Sequence, residues 1–168
     1  MITVVDHASH GADGIYSMLG GKLASYRLFS EEMTDRLAAR LGNSQRCTTH
    51  SSLLPGGDQT FTVAQLSAQM GVDLLTATRL EYRHGGRAAR VAERIAVEPA
   101  EAEIVCGCEP VTSAEIREVV SEEWAYDVNA VARRTRLGLG SCGGMRCAVR
   151  CGQIVAQETG QSPERGRM

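Results

Sequence analysis

Two short cysteine pairs constrain this chain more than any other feature: Cys106-Gly107-Cys108, then thirty-three residues, then Cys142-Gly143-Gly144-Met145-Arg146-Cys147. Thiolates bunched in glycine-bearing turns suit a metal centre, because glycine lets the backbone curl close and aim N–H groups at sulfur. Structural zinc sites usually bring C-x2-4-C loops at both ends, whereas one pair here is C-x-C and the other C-x4-C. That asymmetry favours an all-cysteine iron–sulfur cluster over zinc or a merely buried set of small hydrophobes. By ligand count, [2Fe-2S] and [4Fe-4S] cores both remain open. No histidine sits near either pair, which disfavours a Rieske centre.

Composition narrows the classes. Aromatic residues make up only 4% and the formal net charge is −2, so neither a base-stacking surface nor a polyanion partner is expected. No stretch approaches the ~20 apolar residues of a membrane span, and the N-terminus lacks the character of a signal peptide. Cysteines grouped as ligands then point to a reducing, cytoplasmic setting rather than a disulfide scaffold.

The 168 residues, 43% hydrophobic, read as mainly α with a short N-terminal β portion. Ile2 to Val5 and Ile15 to Leu19 read as strands, the second broken at Gly20-Gly21. Leu28, Met33, Leu37 and Leu41 give near-helical spacing from about Ser25, with Gly42 placed to end the helix. The Pro55-Gly56-Gly57 segment is a loop. Small helices follow: one capped by Thr62 and stopped at Gly71, one from Asp73 to about His84, and one from Arg87 to Ala96. A charged linker, Glu98 to Glu103, leads to the cysteine segment. There Thr112 and Glu115 form an expected capping box, Asp127 caps a second helix ended by Gly138 and Gly140, and a third runs from near Met145 towards Glu158. Cys147 and Cys151 share one helical face, where Cys151 reads as core. The tail, residues 161–168, is polar and expected to fray.

The quoted motifs carry a family resemblance. Val105 to Glu109 with Gly140 to Cys147 resembles the bacterioferritin-associated-ferredoxin-like (BFD-like) [2Fe-2S] domain appended to flavin-dependent dehydrogenases. That form often has glutamine where Gly143 stands. Val5-Asp6-His7 and Gly20-Gly21-Lys22-Leu23-Ala24-Ser25-Tyr26-Arg27 are similar to FAD-dependent glycerol-3-phosphate dehydrogenases, which usually read G-G-K-L/W-T-T-Y-R. The stretch from about residue 3 to 156 looks like the C-terminal part of the large catalytic subunit of the anaerobic enzymes. The resemblance implies a [2Fe-2S] cluster on Cys106, Cys108, Cys142 and Cys147. It also implies a phosphate- or flavin-adjacent site at Gly20, Gly21, Lys22 and Arg27.

The residues agree with that placement of Lys22. It is the one lysine beside seventeen arginines, and it follows two glycines that permit close approach. A P-loop is excluded, since Tyr16 stands where its first glycine belongs and Leu23 follows the lysine. Arg27 reads equally well as a flavin or phosphate contact or as the start of a helix. Arg133, Arg134 and Arg136 would raise the potential of an anionic cluster, or simply line a solvated helix face.

The expected organisation is a C-terminal remnant of an FAD-dependent oxidoreductase domain (1–46), a helical linker subdomain (47–103) and a BFD-like [2Fe-2S] domain (104–160). No G-x-G-x-x-G opens a helix after a strand, so the FAD-binding Rossmann half is not expected within these residues. The chain therefore reads as a C-terminal piece, or as a short subunit completing a separate flavoprotein, and not as an enzyme active alone. Its expected partners are that flavoprotein portion, which brings FAD, and an electron-accepting, membrane-linked protein that holds it at the inner membrane. The expected function is to relay electrons from flavin towards a quinone-linked partner. A non-catalytic [2Fe-2S] module for partner docking or iron handling is the alternative.

Overall fold

The structure, a computed structural model, describes residues 2–161. The expected tail thus falls, from residue 162 onward, outside the described residues. The chain divides after Ser52 into two compact units.

The first unit is a hairpin and a helix. Strands β1 (Ile2–Asp6) and β2 (Tyr16–Gly20) pair antiparallel, with Ile2 opposite Gly20 and Asp6 opposite Tyr16. Gly20 and Gly21 both take positive φ (85° and 94°) to leave the strand, and a short 3-10 turn over Leu23–Ser25 leads into α1 (Tyr26–Arg40). Arg36 reaches the Val4 carbonyl from α1, and Arg40 grips both carboxylate oxygens of Asp13 at 2.7 Å. Gly42, at φ 72°, follows the helix end as expected. The apolar spacing along α1 does form a helix, yet no α1 residue is buried, and Leu28 and Leu41 are 58% and 83% exposed. A two-stranded hairpin offers too little surface to cover that face.

The second unit is helical. In α2 (Val63–Met70), Thr62 and Gln65 form a reciprocal capping box, and Asp73 caps α3 (Leu74–His84) through the Thr76 amide. With α4 (Ala88–Val97) these helices enclose Leu66, Met70, Leu80, Val91 and Ile95. The expected linker contains a 3-10 turn, Pro99–Ala102, followed by a small antiparallel pair, β3 (Ile104–Cys106) and β4 (Val111–Thr112). Three helices follow: α5 (Ser113–Glu123), α6 (Val128–Thr135) and α7 (Ala148–Thr159). They bury Val111, Ile116, Val119, Val131, Ile154 and Val155 in a second core. Each N-cap of this kind contributes about 1 kcal/mol, while burial of the apolar faces supplies the larger share.

Three expectations need correction. The Thr112–Glu115 capping box is half formed: Thr112 Oγ1 accepts from the Glu115 amide, but the Glu115 carboxylate turns away to Arg83 and His84. Helix α6 ends before Gly138, because Arg136 itself adopts φ 62°, and Trp124 ends α5 at φ 52°. Both are non-glycine residues in the left-handed region, which carries a cost in local strain. Finally, α7 starts at Ala148 rather than near Met145, since residues 141–147 are used in turns.

The Pro55-Gly56-Gly57 loop closes on the end of α3, where the Gly86 amide donates to the Gly56 carbonyl at 2.7 Å. A Cβ on Gly85, whose φ is 55°, would stand 2.2 Å from that carbonyl oxygen. Gly85→Ala should therefore cost more than about 2 kcal/mol in urea unfolding. Gly71→Ala has a similar φ of 63° and open space around it; it should cost about 1 kcal/mol from backbone strain alone.

Candidate metal centre

The second unit brings the four cysteines of the two pairs to one region. Strand β3 places Cys106, the β3–β4 turn carries Cys108, the turns after α6 carry Cys142, and Cys147 immediately precedes α7. Cys108 Sγ stands 3.8 Å from Cys142 Sγ. Cys147 Sγ donates to the Gly144 carbonyl at 3.8 Å, and its pKa feels, after burial, the neighbouring Cys106 and, more weakly, Cys142. Cys108 and Cys142, one from each motif, thus stand side by side, while Cys106 and Cys147 are buried and influence one another electrostatically. Among the described residues, no three His, Cys, Asp or Glu side chains form a ready-made metal-holding group.

The two pairs differ in environment. Cys106 and Cys147 are 1% exposed, whereas Cys108 is exposed and Cys142 half-buried. The amides of Gly144 and Arg146 donate to the Cys142 sulfur and, with the Cys108 thiol and the Arg146 charge, lower its pKa. Burial, followed by the neighbouring Cys106, pushes the Cys147 thiol up to about 11. Close passage of the two loops needs glycine at one point. A Cβ on Gly140 would lie 2.4 Å from the Cys108 Cβ.

This donor set fits a soft metal centre. The donors are thiols, two of them 3.8 Å apart, and thiolate sulfur selects iron–sulfur clusters, zinc or cuprous copper over harder ions. Cys151 lies behind this group, fully buried on α7, its thiol pushed up to about 12 by burial and then by Cys147 and Cys106. Arg136 pairs with Glu109 and Arg134 with Glu123, while Arg133 is exposed.

Lys22 and Arg27 belong to the first unit. Lys22 is exposed, with its backbone held by the Ser25 hydroxyl, which accepts from the Lys22 amide at 3.0 Å. Gly21 packs so near Phe29 that a Cβ would come 3.2 Å from the ring. Arg27 is spoken for by Glu31, one turn along α1, at 2.6 Å. A cavity of about 470 Å³ opens between α1 and residues 43–49, with Arg27, Ser30, Thr34, Arg46 and Thr48 on its walls. No spacing along the chain signals that cavity, because its walls come from a helix and an irregular loop.

Sequence reasoning also missed Arg83, Glu115 and His84. Arg83 Nε and Nη2 grip both Glu115 oxygens at 2.7 Å, Nη2 donates to the Pro110 carbonyl at 2.8 Å, and His84 Nε2 lies 2.9 Å from Glu115 Oε1. All three side chains are at least 96% buried. The only sequence trace was a capping glutamate beside an interior helix.

In the metal-free protein, iodoacetamide should modify Cys142 well before Cys147 or Cys151, read by peptide mass spectrometry at pH 8, since the thiolate is the nucleophile. The raised values of Cys147 and Cys151 also set a pH trend. Above pH about 9 the unfolded chain ionises these thiols while the folded state keeps them protonated, so stability should fall between pH about 9 and 12. Cys151→Ala should flatten that fall in urea titrations and cost only about 1 kcal/mol at pH 7.

Residues 47–166 match the family described as the C-terminal domain of alpha-glycerophosphate oxidase. The match runs across both the 47–103 and 104–160 segments that the sequence suggests as separate. Over 92% of its length the chain is 36% identical to the A subunit of the anaerobic glycerol-3-phosphate dehydrogenase of Haemophilus influenzae, covering 27% of that protein. Identity to the corresponding protein of Escherichia coli K12 is 34%, covering 28%, and to the A1 form of Haloferax volcanii 31%, covering 26%. The chain thus spans about a quarter of the length of these relatives. No solved structure matches it. With the family match covering most of its residues, this chain belongs to the C-terminal domain family of the glycerol-3-phosphate oxidases and dehydrogenases.

Proposed function

We propose that this chain is the iron–sulfur electron-transfer portion of an FAD-dependent glycerol-3-phosphate dehydrogenase. It relays electrons from the flavin of the upstream or partner flavoprotein portion towards a quinone-linked partner. The observation that carries the reading is the approach of Cys108 to Cys142 at 3.8 Å, one sulfur from each motif, with the buried Cys106 acting on Cys147. A [2Fe-2S] cluster bound there supplies one-electron transfer. Cys106 and Cys147 hold the dry side of the site, and Cys108 and Cys142 hold the side open to a partner. The Gly144 and Arg146 amides stabilise negative charge on the Cys142 sulfur.

Lys22 is the proposed phosphate contact on the flavin side. Its exposed ammonium has no ion-pair partner among the described residues, in contrast to Arg27, which Glu31 neutralises. Among the described residues no helix is long and apolar enough to cross a membrane; the proposed inner-membrane association runs through the quinone-linked partner.

Anaerobic reconstitution with iron and sulfide should give a brown protein with two irons per chain and an electron paramagnetic resonance signal on reduction. Alanine at Cys106, Cys108, Cys142 or Cys147 should abolish both, while Cys151→Ala retains them. A colourless protein holding stoichiometric zinc after anaerobic preparation sinks the reading. With the flavoprotein portion present, Lys22→Ala should raise the KM for glycerol-3-phosphate at least tenfold in a dye-reduction assay. An unchanged KM removes Lys22 from the phosphate site.

A further inference from the structure

The turn that carries Cys108 is anchored by a buried charge cluster on another helix. Residues 107–110 connect β3 to β4, and at the far end of that turn the Pro110 carbonyl accepts from Arg83 Nη2 at 2.8 Å. The same guanidinium grips Glu115 through Nε and Nη2, and Glu115 is held in turn by its Thr112 cap and by His84. Beyond His84, the Gly56 loop locks the end of α3. The other side-chain tie to the turn is Glu109, 14% exposed, whose two oxygens accept from the half-exposed Arg136 at 3.4 Å each, longer than the 2.7–2.8 Å contacts of Arg83.

A buried ion pair is a poor way to gain stability, because apolar side chains of equal volume do as well or better. The rigid guanidinium fork does something apolar packing does not: it fixes a carbonyl oxygen and a carboxylate in one plane. We infer that Arg83 is a positioning residue for the thiol site, setting where Cys108 Sγ stands relative to Cys142 Sγ by tethering Pro110 and Glu115 together. The inference deepens the proposed cluster-binding role, and its consequence is felt at the solvent-facing sulfur pair. Cys106, held within the β3–β4 pairing and the core, depends on Arg83 less.

The test has one arm with metal and one without. In metal-free protein, oxidised glutathione can close the Cys108–Cys142 pair. The two thiol hydrogens and two electrons pass to the glutathione disulfide, which leaves as two reduced glutathiones while one protein S–S bond forms. The rate depends on how often the sulfurs meet, and peptide mass spectrometry reads it at this pair. Arg83→Lys keeps the charge but loses the fork. It should slow closure at least fivefold with an unchanged thermal midpoint. The double variant Arg83→Met/Glu115→Leu replaces the pair with apolar bulk and should show the same slowing should the lysine variant prove unstable.

Arg117→Ala is the control, since Arg117 pairs with Glu101 and Glu158. It should leave the closure rate within twofold of the parent. In reconstituted protein, Arg83→Lys should alter the g-value spread of the reduced cluster and speed its loss to a chelator at least threefold. Closure rates and spectra that match the parent in folded Arg83 variants overturn the inference. A parent chain that takes up no iron–sulfur cluster, yet shows the Arg83 effect on closure, overturns the cluster reading and leaves the positioning role standing.

Discussion

The carboxylate of Glu115 is the point on which the second unit turns. It sits in the first turn of α5, 1% exposed, and accepts from the Arg83 fork and from the His84 side. Removing one partner of such a group leaves a buried charge unanswered, at a cost of about 3–5 kcal/mol. The α2–α4 helices and the cysteine-bearing helices therefore cannot rearrange independently of one another. That coupling accords with a family match running without interruption from residue 47 to 166.

Around this anchor the thiol site is asymmetric. One sulfur pair lies within the apolar core beside Val111, Val131 and Ile154, and the other faces solvent. Burial favours the neutral thiol at Cys147, whereas amide donors favour the thiolate at Cys142. The inner cysteines are thereby walled by core side chains, while the outer two remain reachable from solvent.

The first unit follows a different logic. Its hairpin and helix are tied by Arg36 and Arg40, yet Val4 is the one buried hydrophobic in it among the described residues. Leu19, Leu23, Leu28 and Leu41 remain exposed. A run of apolar side chains at helical spacing announces a helix, but the spacing is silent about what covers it.

Much of the fold was legible along the chain because its signals are local. Thr62, Asp73 and Asp127 cap the helices they precede, and Gly42 and Gly71 follow the helices they end, since a side-chain oxygen within three residues or a left-handed glycine acts on its own neighbours. The two cysteine pairs were equally plain from their spacing. Partners distant in sequence were not legible. Arg83 meets Glu115 across thirty-two positions, the Cys106 strand forms only by pairing with Val111, and Trp124 and Arg136 take left-handed backbone that no glycine announces. Local signals along the chain mark the two cysteine pairs and where most of the helices begin. Only the tertiary structure sets Cys108 beside Cys142, buries Cys106 and Cys147, and brings Arg83 to Glu115 and Pro110, because those outcomes depend on packing between elements that no local pattern encodes.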